Sequence, residues 1–113
     1  MMLDKEIFLN AAEIYGTPLY IYDTERIKEN YSTILNFLTC QKNKVYFSVM
    51  CNSHPEILKI IKNLNIGVQI NSEYELDLVK EAGFPSSDIS FSSTGISNEL
   101  MKKLIENNIE VNL

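Results

Sequence analysis

Few side chains in this chain carry the means for chemistry. His54 is the single histidine, and Cys40 and Cys51 are the two cysteines. A metal centre needs three or four converging ligands, and these three residues lack the spacing for one, so no metal is expected. His54 reads as an ordinary first-turn residue of a helix. Cys51 stands near the end of an apolar run, where an activated thiol is one reading and a buried, inert cysteine the plainer one. Met50 closes the same run, and its thioether reads as a flexible filler of the core. Gln69 interrupts a second apolar run with an amide that either satisfies neighbouring polar groups or meets a ligand. Glu75 follows Ser72 at the spacing of a helix capping box, which competes with any chemical role for its carboxylate.

The elements that must position these residues follow from hydrophobic period and punctuation. Residues 4–15 read as a helix with Asp4 as N-cap, Ile7, Phe8, Ala11, Ile14 and Tyr15 at helical spacing, and Gly16 as the stop. Leu19-Tyr20-Ile21-Tyr22 is a β-prone run after Thr17-Pro18. A second helix covers about 24–40, capped by Asp23 or Thr24. Residues 45–50 form a near-continuous apolar run, as for a strand buried on both faces. Ser53 and Glu56 form a capping box that opens the next helix, with Pro55 in its first turn. Strands at 66–70, 88–92 and 109–113 alternate with helices opened by Ser72 and by Ser97, and Gly83 stops the first of these.

The strand-to-strand period is thus about 20 residues, which predicts an α/β fold of about four βα units with parallel strands. That period fits half of an eight-stranded (β/α)8 TIM barrel, and it equally fits a small open doubly wound sheet. Neither a Gly-x-Gly-x-x-Gly string nor a Gly-Lys-Ser/Thr phosphate loop is present, which argues against nucleotide binding.

Composition narrows the classes. With 45% hydrophobic and 22% charged residues the chain reads as globular, and a net charge of −5 argues against nucleic acid or an anionic membrane as partner. No apolar stretch reaches the ~18 residues of a membrane helix and no signal peptide is evident, so a cytoplasmic location with reduced cysteines is expected.

At Gly16-Thr17-Pro18-Leu19-Tyr20-Ile21-Tyr22-Asp23 the chain resembles the Gly-Thr-Pro-Leu-Tyr-Val-Tyr-Asp entry of the pyridoxal-phosphate-dependent diaminopimelate, ornithine and arginine decarboxylases. Val45-Tyr46-Phe47-Ser48-Val49-Met50-Cys51-Asn52-Ser53 is similar to that family's Tyr-Ala-Val-Lys-Ala/Cys-Asn strand. Gly67 to Leu76 resembles its Ala-Asp-Val-x-Ser-x-x-Glu-Leu segment, and Ala82-Gly83-Phe84-Pro85 with Ile89-Ser90-Phe91 continues the match in order.

The resemblance implies that residues 1–113 are the N-terminal part of an alanine-racemase-like barrel. Residues 1–23 would be the entry helix and strand, and 24–113 the barrel half, with the family's C-terminal β domain outside this sequence. It implies pyridoxal phosphate as cofactor, a small amino acid as substrate and a dimer. It places Met50 where the family carries its Schiff-base lysine, and Asn52, Gln69 and Glu75 as cofactor-binding candidates. A thioether cannot form an imine, so the resemblance implies a decarboxylase that is inactive as this chain, with little hold on the cofactor. Gln69 and Ile96 depart from an acidic residue and a lysine common in relatives, which keeps a non-catalytic pseudoenzyme or interaction module as the alternative. A half barrel leaves two sheet edges bare, so self-association or a longer parent chain is expected.

Overall fold

The computed structural model describes residues 4–40 and 42–112. The chain divides into two compact units, Met1–Gln41 and Lys42–Leu113.

The first unit holds two helices, α1 (Lys5–Tyr15) and α2 (Thr24–Phe37). Asp4 caps α1 by accepting the Glu6 N–H, and Gly16 ends it at a φ of 79°. Asp23 caps α2 by accepting the Arg26 N–H at 3.1 Å. Two expectations are corrected here. The run Leu19–Tyr22 belongs to no strand, because apolar β-branched and aromatic residues make a strand only where a ladder partner stands beside them. Helix α2 ends at Phe37 rather than near 40, where Leu38 turns to an extended backbone.

The second unit is a four-stranded parallel sheet with its helices: β1 (Tyr46–Ser48), α3 (Pro55–Asn63), β2 (Gly67–Ile70), α4 (Glu73–Glu81), β3 (Ile89–Ser92), α5 (Asn98–Glu106) and β4 (Glu110–Asn112). The strand order is β1-β2-β3-β4, with Ser48 opposite Gln69 and Gln69 opposite Ser90. Each crossover steps to the next strand in the same direction. Right-handed crossovers that never reverse place every helix on one face of the sheet. That is the geometry of a (β/α)8 barrel wall and not of a doubly wound sheet, whose order reverses and whose helices cover both faces.

Alternation along each strand sorts the side chains between the two faces. Val68 and Ile70 of β2 and Ile89 and Phe91 of β3 are buried, as are Leu58 and Ile61 of α3, Leu76 and Val79 of α4 and Leu104 of α5. These form the core on the helix-covered face. The other face carries Ser48, Gln69, Ser90 and Glu110, one from each strand and in register. The stretch expected as a strand over 45–50 is shorter and only half-buried. It occupies the end of the sheet, with a neighbour on one side alone among the described residues.

The returns from helix to strand repeat one device. Asn65, Gly83 and Asn108 adopt positive φ of 55°, 82° and 53°. The residue after each donates its N–H back to the helix, Ile66 to Ile61, Phe84 to Val79 and Ile109 to Leu104, at 3.2, 3.0 and 3.0 Å. These are Schellman closures, with the apolar residue following the left-handed position buried. Gly83 is legible as a stop in the sequence, whereas the two asparagines do the same work unannounced.

Candidate functional site

In parallel barrels the chemistry collects at the C-terminal ends of the strands, where the loops into the helices converge. Strand β1 ends at Ser48, and residues 49–51 form one turn of 3-10 helix closed by the Asn52 N–H on the Val49 carbonyl at 3.1 Å. Val49 is fully buried and anchors the turn, while Met50 beside it is 72% exposed. The expectation of Met50 as a core filler is therefore overturned: the strand has already ended, and the turn carries its side chain off the packed face. Cys51 is likewise exposed and not buried, and Cys40 is exposed as well.

Asn52 is half-buried, and its Oδ1 accepts the His54 N–H at 2.9 Å. This braces the loop from β1 to α3. His54, not Ser53, is the N-cap of α3, and its Nδ1 accepts the Glu56 N–H at 3.3 Å. Pro55 sets this frame: it occupies the first helical position, so the cap falls on the residue before it. The bond uses the lone pair of Nδ1.

Gln69, half-buried on β2, donates from Nε2 to Asn71 Oδ1 at 3.3 Å and to the Ile70 carbonyl at 3.4 Å. Asn71 in turn donates from Nδ2 to the Ser92 carbonyl at 2.7 Å, which ties the tips of β2 and β3. The Asn71 N–H is held by Glu75 Oε2 at 2.6 Å, and Ser72 Oγ accepts the Glu75 N–H at 3.2 Å. Glu75 thus reaches one residue further back than a standard capping box, to Asn71 rather than Ser72. At β4, Asn112 donates to the buried Ser90 hydroxyl at 2.9 Å.

Gln69 and Glu75 are joined through Asn71, and Met50 and Asn52 lie on the loop after the adjoining strand. Asn71, Ser90, Ser92 and Asn112 escaped the sequence reading. Their signal was present as polar residues at every second position in otherwise apolar strands. Ile96, half-buried, lies in the loop of residues 93–97 that leads into α5.

The electrostatics are plain. The segments leaving the strands, residues 49–54, 71–72 and 93–97, contain no lysine or arginine. Among the described residues no group of three or more His, Cys, Asp or Glu is arranged to hold a metal ion. No helix among them is long and apolar enough to cross a membrane. A pyridoxal group held as an imine needs a primary amine at its aldehyde and cations or N–H donors around its phosphate. Met50 has no amine to form that imine, so these loops do not fit covalent attachment of the group, and for its phosphate they offer N–H donors but no cation.

Residues 24–113 match the family described as "Pyridoxal-dependent decarboxylase, pyridoxal binding domain". Over 95 residues the chain is 35% identical to a diaminopimelate decarboxylase of Pseudomonas fluorescens, covering 84% of this chain and 23% of that relative. Over 109 residues it is 32% identical to the diaminopimelate decarboxylase of Pseudomonas aeruginosa, covering 91% of this chain and 26% of the relative. Diaminopimelate decarboxylase from M. jannaschii, solved in co-complex with L-lysine, superposes with a TM-score of 0.85 at 27% identity. That match covers 94% of this chain and 26% of the other. The chain spans about a quarter of the length of the relatives it matches.

Proposed function

The chain belongs to the pyridoxal-dependent decarboxylase family through its pyridoxal binding domain, and from that premise we propose that it is the opening half of the barrel of a diamino-acid decarboxylase which does not run the reaction by itself. The proposal rests on Met50. It stands at the position the motif assigns to the amine that holds the cofactor, on an exposed turn at the C-terminal end of β1. Pyridoxal phosphate, when held as an imine, supplies an electron sink for the carbanion left by loss of carbon dioxide. A thioether neither forms that bond nor carries a proton to return to the product. What the chain's own residues supply is a framework: Asn52 braces the loop after β1, and Glu75 and Asn71 fix the tip of β2. Gln69 offers an uncharged amide beside them.

The substrate class is supported by the diaminopimelate decarboxylases among its relatives, one of them solved with L-lysine, itself a diamino acid. The test is release of carbon dioxide from diaminopimelate by the purified chain with added pyridoxal phosphate. No release above the rate of free pyridoxal phosphate is expected, and catalytic release overturns the proposal.

A second reading is a natural pseudoenzyme that keeps the scaffold for protein contacts. Gln69 and Ile96 favour it, since a single change at position 50 leaves both of these departures unexplained. The coding sequence of the parent gene decides: a methionine codon at 50 supports this reading and a lysine codon removes it.

A further inference from the structure

We infer that Asn71 sets the direction of the Gln69 side-chain amide, so that the site presents the oxygen Gln69 Oε1 at the C-terminal end of β2 and takes a ligand there through an N–H or O–H donor. The inference rests on the reading above that this end of the sheet is the ligand site.

The two ends of a side-chain amide are nearly the same size, and the surrounding donors and acceptors decide which end faces where. Two main-chain carbonyls, which only accept, settle the matter here. The Ser92 carbonyl requires Asn71 to point Nδ2 at it, and the distance is 2.7 Å. Asn71 Oδ1 is thereby turned toward Gln69. An oxygen that only accepts must meet a donor, so Gln69 presents Nε2, at 3.3 Å. The Ile70 carbonyl, 3.4 Å from the same Nε2, demands the same orientation. Asn71 itself is held by its backbone N–H on Glu75 Oε2 at 2.6 Å.

Both amide protons of Gln69 are thus directed at acceptors within the protein, and Oε1, which accepts from none of the described residues, is the atom left to a ligand. Gln69 stands between Ser48 and Ser90 in register, on the sheet face opposite the helices. An anionic oxygen brought to this point meets another oxygen, whereas an amine or hydroxyl finds an acceptor. Asn71 acts through Gln69 and is a positioning residue.

The experiment is side-chain amide exchange and shift mapping on nitrogen-15-labelled full chain, wild type against Asn71→Ala and Asn71→Asp. In the wild type each Gln69 Nε2 proton exchanges roughly fivefold more slowly than in the unfolded chain, as expected for one modest hydrogen bond apiece. Asn71→Ala abolishes the slowing of the Nε2 proton that faces Asn71 Oδ1, while the proton directed at the Ile70 carbonyl and the backbone amides of β2 and β3 keep their protection. Asn71→Asp loses the same slowing, because its second carboxylate oxygen would face the Ser92 carbonyl, which only accepts, and the side chain is driven out of place. Undiminished slowing of that proton in either variant overturns the inference, and the aspartate variant carries the test if the alanine variant does not fold. Two probes of similar length then address the ligand: cadaverine, which only donates, and glutarate, which only accepts. Cadaverine is expected to shift the Gln69 signals of the wild type and glutarate to leave them in place. The reverse order overturns the inference. Silence from both overturns the reading of the site, while the exchange data still decide the role of Asn71.

Discussion

The Tyr46 ring rests against the bare α-carbon of Gly67, its partner in register on the next strand. A Cβ built on Gly67 stands 2.8 Å from both Cδ1 and Cε1 of that ring and 3.1 Å from the Asp88 carbonyl oxygen. A tyrosine ring cannot yield as a lysine tip would, and the backbone oxygen cannot yield at all. Gly67→Ala is therefore expected to destabilise the second unit by about 1–3 kcal/mol, the range for overpacking a filled site. Urea unfolding checks this, and Tyr46→Ala should recover part of the loss in the double variant. An unchanged midpoint for Gly67→Ala would mean that the ring does not lie where it is described.

Lys44 reaches across the start of β2 and donates to Asp88 Oδ1 at 3.0 Å and to the Ser87 carbonyl, with its ammonium 5.2 Å from the Tyr46 ring centroid. Burial is the largest single influence and works against its charge, and the hydrogen bond to Asp88, the charges of Tyr46 and Asp88 and the hydrogen bond to Tyr46 together outweigh it. The ammonium is therefore held above the ordinary lysine value. A group whose folded pKa is raised stabilises the protein at all pH values below its unfolded pKa, and that support fades as pH climbs through the folded value. Lys44→Met is thus expected to cost about 0.5 kcal/mol at neutral pH, small because both side chains are over a third exposed and screened by water. The cost should shrink above the ordinary lysine value and vanish once pH has passed the raised folded one. A difference between wild type and variant that stays constant with pH would contradict this account.

His54 caps α3 through Nδ1, whereas Ser53 makes no cap bond to it. His54→Ala is expected to lose about 1 kcal/mol, and His54→Asp to match or exceed the wild type, because a carboxylate suits both the cap and the helix dipole. Ser53→Ala should stay close to neutral. Thermal unfolding of the three variants distinguishes the two frames: a large loss for Ser53→Ala with none for His54→Ala would restore the frame read from sequence.

Asn65 and Asn108 close their helices in the left-handed region, as Gly83 does. Asn65→Ala and Asn108→Ala are each expected to cost about 1 kcal/mol, and the glycine replacements to be neutral or mildly stabilising. Denaturant midpoints give the order directly. Alanine and glycine variants of equal stability would show that the left-handed turns are not maintained in solution.

The repeat of strands and helices was legible because each apolar run sits between strong punctuation, as Ser72 and Gly83 bracket α4 and Ser97 opens α5. What sequence could not supply was which face or neighbour each residue meets. The run Leu19–Tyr22 has strand-like residues yet lies outside the sheet, because pairing is a property of two segments. Barrel and doubly wound sheet share one period and differ only in strand order, which periodicity does not encode. Met50 looked like core because it ends an apolar run, and it is exposed because β1 gives way to a turn two residues earlier. Gln69 and Glu75 stand apart in the sequence, and nothing in it marks Asn71 as the residue that joins them, because an asparagine after a strand reads as ordinary loop.

The central claim is that position 50 offers no amine to a pyridoxal cofactor. The direct measurement is incubation of the chain with pyridoxal phosphate, reduction with borohydride, and peptide mapping of the product. The account expects no label on the peptide carrying Met50 and no single stoichiometric site elsewhere that goes with turnover of diaminopimelate. Stoichiometric labelling at one defined lysine, accompanied by decarboxylation, would contradict it.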